Sequence, residues 1–260
     1  EDGNNALMTA AANGRLDVVK KLIAEGADVN AISSDGDTAA LSAINGGYTE
    51  IFDELINAGA KQSIMPKAKE TLLMAASKYN VNFVDKLLKL PKSSNIITLD
   101  IRVSLMVAAA YGNVDVMGKL VEYGVNFNDS SGYDYRNEPP LMLAVRNDRI
   151  KAVNKLMKWG ALVTDEVDED GFTVLMTAAR QGNFKIVNEL IESGANINAV
   201  NADGDSVLML LITEDKEWTK LNYKSKRLLP LAIKIEIINK LIESGANLNA
   251  VNANGDTPLM

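Results

Sequence analysis

One pair of residues, Leu followed by Met, recurs along this 260-residue chain at a nearly constant interval. The pairs begin at positions 7, 73, 105, 141, 175, 208 and 259, and Ala40-Leu41 fills the one gap. The successive steps are therefore 33, 33, 32, 36, 34, 33 and 51 residues. An interval of this length is typical of repeat proteins, in which each unit buries its apolar face only by stacking on its neighbours. The spacing predicts one array of stacked repeats over residues 1–260 rather than two globules.

The last two copies of the repeat are nearly identical over a long stretch. Residues 188–209 match residues 239–260 at 17 of 22 positions. Local signals inside the repeats agree with a helical unit. Thr173 and Ser206 stand where a helix needs an N-cap side chain. Gly14 and Gly182 stand where a helix ends in the left-handed conformation.

Residues 171–198 show the repeat pattern most completely. They read Gly-Phe-Thr-Val-Leu-Met-Thr-Ala-Ala, then Gly182, Ile186-Val187, Leu190-Ile191 and Gly194-Ala195-Asn196-Ile197-Asn198. This pattern resembles the ankyrin repeat, and the resemblance extends over the whole chain. It implies an all-α solenoid of helix-turn-helix units joined by β-hairpin-like loops, with little or no sheet. The repeats run approximately over 1–32, 33–65, 66–97, 98–133, 134–167, 168–200 and 201–251, with a partial eighth at 252–260.

The interior of this array follows from the apolar positions of the helices. The residue after Leu, which is His in the ankyrin family, is Met here in seven of eight copies, and we expect these Met side chains to fill the core. A Met-lined ligand groove is the alternative. One Leu of each second helix should also be buried: Leu22, Leu55, Leu87, Leu120, Leu156, Leu190 and Leu241.

Two repeats depart from the pattern. In repeat 3, Lys69 replaces the hairpin Gly and Pro91 replaces the Gly that closes the second helix. We therefore expect an irregular crossing at 90–103, and repeat 3 should be the least stable part of the array. Repeat 7 contains about 18 extra residues near 215–233, because its closing Gly lies 51 residues after Gly194.

The insert at 215–233 is a secondary candidate for partner contact, because it is basic and contains aromatic residues in an acidic protein. An extended first helix with a solvated loop, and with Trp218 packed on the neighbouring repeat, is the alternative. The candidate residues of the insert are Trp218, Lys220, Tyr223 and Arg227.

The resemblance also implies a partner-binding surface. Ankyrin proteins bind through their concave side, at the hairpin tips and at the last two residues of each first helix. Four of the seven Arg residues in the chain fall at these positions, and Tyr and Arg are enriched at interfaces. We predict one locally positive strip along repeats 3 to 6, facing a protein or peptide with acidic and apolar groups. The strip comprises Lys78, Tyr79, Arg102, Tyr111, Tyr135, Arg136, Arg146, Phe172 and Arg180.

Tyr123 and Trp159 share another position, the last residue before the Gly that closes the second helix. We expect the two rings to form an aromatic pair near the loop edge, and intramolecular packing is the alternative to a role in binding.

Composition excludes several classes of function. The chain contains neither Cys nor His, which removes disulfides, the usual nucleophile–base pairs and the usual zinc, haem and iron–sulfur ligands. An enzyme would need paired carboxylates or a Lys in a pocket, and we expect a non-catalytic binding module with no cofactor and no metal. A calcium site at 168–171 lacks the spaced ligands of a calcium-binding loop.

The net charge of −7 disfavours nucleic acid as a partner, and no apolar run approaches the length of a membrane span. We expect a monomer. The chain begins within a repeat and without Met, so the alternative to a self-contained module is the repeat arm of a larger protein. The sequence names neither a compartment nor a partner.

Overall fold

The computed structural model describes residues 3–60, 81–89, 98–128, 138–163, 167–168, 171–212 and 229–258. These residues form α-helices and turns without a β-strand; two isolated antiparallel bridges, Val167–Thr173 and Val200–Ser206, mark hairpin-like loops. The prediction of an all-α fold is confirmed. The helices are α1 (Ala6–Ala12), α2 (Leu16–Ala24), α3 (Ala39–Gly46), α4 (Thr49–Asn57), α5 (Val81–Lys89), α6 (Thr98–Tyr111), α7 (Val114–Glu122), α8 (Pro140–Arg146), α9 (Ile150–Lys158), α10 (Val174–Gln181), α11 (Phe184–Glu192), α12 (Val207–Ile212) and α13 (Leu231–Glu243).

Two compact units make up the chain, Glu1–Phe127 and Asn128–Met260. In the first unit, α1 packs on α3, α2 on α4 and α5 on α7. In the second unit, α10 packs on both α8 and α12, and α11 packs on α13. First helices thus stack on first helices and second helices on second helices within each unit. A single domain over 1–260 stays a prediction.

Side-chain caps start several of the first helices, as their sequences predict. The backbone N–H of Met176 donates to Oγ1 of Thr173 at 3.3 Å, and that of Met209 donates to Oγ of Ser206 at 3.4 Å. These hydroxyls satisfy backbone donors that have no partner inside the helix. Both predicted N-caps are confirmed.

The loops between repeats are closed by a recurring backbone hydrogen bond. The N–H of Asp168 donates to the carbonyl of Phe172 at 2.9 Å, and that of Asn201 donates to the carbonyl of Asp205 at 3.0 Å. Side-chain oxygens also accept from the turn, for example Oδ1 of Asn201 from the N–H of Asp203. The Asx residues of the hairpins therefore serve turn geometry.

The core contains the residues that the repeat spacing predicts, with one exception. Six of the seven predicted Leu residues have no exposed surface: Leu55, Leu87, Leu120, Leu156, Leu190 and Leu241. The prediction is wrong for Leu22, which is half-buried. On the same helix Val18 is 48% exposed, whereas Ile51, its equivalent on α4, is 2% exposed. Among the described helices, α2 packs mainly on α1 and α4, and the face that carries Val18 is exposed to solvent.

The Met residues of the repeat lie in this core. Met8, Met106, Met142, Met176 and Met209 are all 4% exposed or less. Because these side chains are enclosed by protein, they fill space between helices. The alternative of a Met-lined groove has no support at Met106, Met142, Met176 and Met209, whereas Met8 also contributes to the lining of a groove at the first two repeats.

Charged side chains link the second helices of consecutive repeats in the first unit. Nζ of Lys20 lies 3.4 Å from the carboxylate of Glu54, and Lys86 forms a short hydrogen bond with Asp53. In both pairs, a residue of the earlier helix contacts the residue that follows its own equivalent on the later helix. Lys20, for example, is equivalent to Asp53 and contacts Glu54. Beneath them the rings of Phe52 and Phe83 meet edge to face, with centroids 5.1 Å apart. Apolar packing and ion pairs thus fix the same helix-to-helix register.

The predicted irregular crossing at 90–103 is wrong for its second half. Residues 98–103 are the first turns of α6, which at 14 residues is longer than the other first helices described. No Gly or Pro interrupts this segment, and Ile101 and Val103 are buried, so apolar burial favours continuing the helix. Residues 90–97, and most of repeat 3, lie outside the described residues. The lower stability of repeat 3 stays a prediction.

The prediction of an insert at 215–233 is wrong for residues 231–233, which belong to the next helix. Helix α13 begins at Leu231, and the carbonyl of Pro230 accepts from the N–H groups of Ile233 and Lys234. Residues 231–233 are therefore helical, because Pro fits the start of a helix and the apolar pattern of α13 already includes them. Residues 213–228, with Trp218, Lys220, Tyr223 and Arg227, lie outside the described residues.

Candidate functional site

Among the predicted partner-binding residues that the structure describes, Tyr111 is the most exposed. It is the last residue of α6, and half of its surface, 50%, is accessible. A ring held at the end of a rigid helix can present apolar area at little entropic cost.

Arg102 does not lie at a hairpin tip, as the sequence predicted, but inside α6, and it is half-buried. Nine residues separate it from Tyr111, which at 3.6 residues per turn places the two about 180° apart around the helix axis. The two side chains therefore leave the helix on opposite sides. A strip that runs through both residues does not follow from this geometry.

Arg146 is enclosed by carboxylates of its own chain. Its Nη2 atom lies 3.1 Å from Oδ2 of Asp168 and makes a short hydrogen bond to Oε1 of Glu138. The exposed fractions of the three side chains are 12% for Arg146, 1% for Glu138 and none for Asp168. Two buried carboxylates on one guanidinium leave no local excess of positive charge. The prediction that Arg146 is an exposed cation of the strip is wrong, because both carboxylates contact its guanidinium and the side chain is nearly buried.

Phe172 is also buried, with 6% of its surface accessible, so its prediction as an exposed contact is wrong. The guanidinium carbon of Arg180 lies 5.0 Å from the centroid of its ring. Arg180 itself is half-buried, and the neighbouring Gln181 donates to the backbone carbonyl of Arg146 at 2.7 Å. Phe172 therefore supports Arg180 by a cation–π contact, and the available surface belongs to the Arg.

The other predicted positions of the strip cannot be placed. Lys78, Tyr79, Tyr135 and Arg136 lie outside the described residues. Tyr123 and Trp159 are described, but they belong to different units, and their pairing stays a prediction. Tyr123 is 44% exposed, while Nζ of Lys155 lies 5.2 Å from the centroid of the Trp159 ring.

An open groove of about 470 Å³ lies at the first two repeats, a region that the sequence does not single out as a site. Its lining includes Asn4, Met8, Asp37, Ser42 and Asn45. The only signal in the sequence is that small polar residues recur at the ends of α1 and α3. Such residues are also the ordinary covering of a solvated helix end, so the sequence alone did not distinguish a groove.

Two further properties of the described residues bear on function. No group of carboxylates among them has the arrangement of a metal site. None of their helices combines the length and the apolar character needed to cross a membrane.

The repeated cores, caps and hairpin-like loops agree with comparisons to known proteins. A family model described as "Ankyrin repeats (3 copies)" matches residues 7–100, 72–167, 105–201 and 141–221. This chain belongs to the ankyrin repeat family. The crystal structure of the human ASB11 ankyrin repeat domain superposes with a TM-score of 0.72 at 25% identity, over 94% of this chain and 99% of that one.

Relatives of this ankyrin repeat chain occur in distant organisms. A putative ankyrin repeat-containing protein of Treponema pallidum (strain Nichols) is 30% identical over 101 residues, which are 39% of this chain and 33% of the relative. The potassium channel AKT2/3 of Arabidopsis thaliana is 23% identical over 195 residues, 75% of this chain and 21% of the channel. The chain thus spans a third or less of the length of these two relatives.

Proposed function

We propose that this chain binds a protein or peptide partner, without catalysis, on the surface formed by the ends of its first helices and its hairpin tips. Ankyrin repeats are generally protein–protein interaction modules, and the family is generally non-catalytic. The observation that carries the proposal is Tyr111, a half-exposed aromatic side chain at the end of α6. The partner should offer an apolar group to this ring.

Charge has a smaller role in this surface than the sequence suggested. Within the second unit, the charge of Arg146 is matched by Glu138 and Asp168. Arg180 is therefore the described cation that we assign to the first-helix ends of that unit. A carboxylate of the partner would meet the outer side of the Arg180 guanidinium. Such a contact sets association rate and specificity more than affinity.

The proposal can be tested once a partner is isolated by affinity capture and identified by mass spectrometry. Tyr111→Ala should weaken binding by about 1–3 kcal/mol, as expected for a central aromatic contact. Tyr123→Ala is the matched control, because Tyr123 is similarly exposed but lies at the end of a second helix. Loss of affinity in the control and not in Tyr111→Ala would contradict the proposal.

A second candidate is that the chain serves as the recognition arm of a longer protein whose activity lies elsewhere. The short share of each relative that this chain covers favours it. The sequence of the complete gene product decides between the two candidates, and the same Tyr111 variant tests recognition in both.

A further inference from the structure

The second helices of the repeats present equivalent positions to solvent, and on α9 all three are basic. These positions are Lys151, Lys155 and Lys158. Each of the six other second helices has at least one residue at these positions that is not Lys or Arg. The residues at the three positions are Asp17, Lys21 and Ala24 on α2; Glu50, Glu54 and Asn57 on α4; Asn82, Lys86 and Lys89 on α5; Asp115, Lys119 and Glu122 on α7; Lys185, Glu189 and Glu192 on α11; and Glu236, Lys240 and Glu243 on α13.

The three Lys residues of α9 form one stripe along the helix. Spacings of four and three residues place them on a single face. The opposite face, with Ala152, Val153 and Leu156, is fully buried in the repeat. Trp159 follows one turn after Lys155 and contacts its ammonium group. The stripe therefore ends at an aromatic ring.

Few negative charges of the described chain oppose this stripe. Residues 149–163 contain four cations and no carboxylate, on a chain whose net charge is −7. Lys151 and Lys158 make no ion pair with any described residue, although such pairs occur on α2, α5 and α7. Of the carboxylates at equivalent positions on α11, Glu192 accepts a hydrogen bond from the amide of Asn188 at 2.8 Å.

An exposed apolar residue follows the stripe in the sequence, at a position where four other repeats have Asp or Asn. In three repeats that Asx side chain closes a turn: Asp28 accepts from the N–H of Asn30, Asn196 from Asn198 and Asn247 from Asn249. Leu162 replaces it in repeat 5 and is 62% exposed. Leu162 cannot form this turn, so the repeat gives up a local hydrogen bond and exposes an apolar side chain three residues after Trp159.

We infer that Lys151, Lys155, Lys158, Trp159 and Leu162 form a second contact site, the α9 surface, which binds an acidic protein segment carrying an apolar side chain. Carboxylates would follow the Lys stripe, and the apolar group would lie against Trp159 and Leu162. This site is on a second helix and is separate from the first-helix ends of the proposed function. A short segment suits it better than an extended polyanion, because a long polyanion would also come within the Debye length, about 10 Å, of acidic residues elsewhere on the protein and be repelled by them.

The probe that tests the α9 surface is a fluorescein-labelled peptide rich in Glu with one central Phe. Its counterpart has Gln in place of every Glu. Fluorescence anisotropy gives the Kd, and Trp159 emission in a Trp218→Phe chain locates the contact. We expect the Glu peptide to bind and to shift Trp159 emission, and the Gln peptide to bind at least about tenfold more weakly.

Two triple variants, each of which removes three positive charges, distinguish binding at the α9 surface from a general effect of net charge. The triple variant Lys151→Gln, Lys155→Gln, Lys158→Gln should raise the Kd by about tenfold or more, and Leu162→Asn should raise it by a smaller factor. The control triple, Lys21→Gln, Lys89→Gln, Lys240→Gln, removes three Lys from three other helices and should change the Kd by less than about twofold.

Each contrary result overturns the inference. Failure of the Glu peptide to bind would do so, as would equal losses in the two triple variants. A chain that binds vesicles of anionic lipid or single-stranded DNA through the three Lys residues, but not the Glu peptide, would assign the α9 surface to another class of partner. Because Tyr111 is untouched in all variants, the outcome is independent of the proposed function.

Discussion

Nη2 of Arg146 lies 3.1 Å from Oδ2 of Asp168, which belongs to the hairpin of the following repeat. Together with Glu138, which precedes α8, this pair forms a nearly buried charge network at the end of α8. Breaking such a network on one side leaves buried charge without its counterion.

Arg146→Met should therefore destabilise the fold rather than affect binding alone. Two buried carboxylates would lose their cation, and we expect a loss of about 3–5 kcal/mol in the free energy of unfolding, measured by urea denaturation. Lys151→Met, on the exposed stripe of α9, is the control and should change stability by less than about 0.5 kcal/mol. Equal stability of the two variants would show that the network contributes little.

Gly14 and Gly47 provide a matched pair for backbone conformation. Both end a first helix with positive φ, at 69° and 76°. A Cβ atom at Gly14 would lie 2.6 Å from Cε1 of Tyr48, whereas one at Gly47 would meet no atom within 4 Å outside its two chain neighbours, Gly46 and Tyr48. Gly47→Ala should cost about 1–2 kcal/mol from the left-handed conformation alone.

Gly14→Ala should cost more than Gly47→Ala, because the conformational cost is joined by the clash with the ring of Tyr48. In a Tyr48→Ala background the two substitutions should cost the same, as thermal denaturation of the four variants can show. A difference that persists without the ring would contradict the steric explanation.

Two equivalent Leu residues test the packing of the first two second helices. Leu55 has no exposed surface, and Leu55→Ala should reduce the free energy of unfolding by about 2–5 kcal/mol. Leu22 is half-buried beside the exposed Val18, so Leu22→Ala should cost less than half as much as Leu55→Ala. A similar loss at both positions, measured in the same denaturant, would indicate that the α2 face is covered.

The sequence predicts the features that depend on neighbouring residues and misses those that depend on residues far apart in the chain. The caps at Thr173 and Ser206 involve neighbours three residues away, and a local pattern predicts them. The burial of Arg146 depends on Glu138 and Asp168, which contact its guanidinium only in the folded chain. The ring of Phe172 is buried and lies against Arg180, which follows eight residues later. Arg102 was misplaced because α6 begins earlier than the repeat pattern indicates, and no residue in its first turns stops a helix. Leu162 was recognisable only after the Asx turns of the other repeats had been seen.

The pair of Asp53 and Lys86 tests whether ion pairs between second helices stabilise the stacking of the repeats. Both side chains are partly exposed, at 43% and 39%, so a single reversal, Asp53→Lys or Lys86→Asp, should cost only about 0.2–1 kcal/mol beyond its effect on helix propensity. The double exchange should restore most of the loss, and the coupling should shrink as salt is added. A double-mutant cycle by urea denaturation at low and high salt measures this coupling, and additive effects would rule it out.

Asp85 provides a test of pH dependence. A hydrogen bond from Lys89 on the same helix is the main cause that lowers the pKa of the Asp85 carboxyl in the folded chain, and Lys119 of the next repeat adds a smaller attraction. Because the folded pKa is depressed, the stabilising effect is present above the ordinary pKa of Asp and is lost as the pH falls through the folded value. Lys89→Met should raise the pKa of Asp85 towards its ordinary value, and Lys119→Met should raise it less. Carboxyl carbon NMR titration of Asp85 in the three chains measures both shifts. A larger change in Lys119→Met would show instead that the contact between repeats, and not the pair within α5, holds this carboxylate in its charged form.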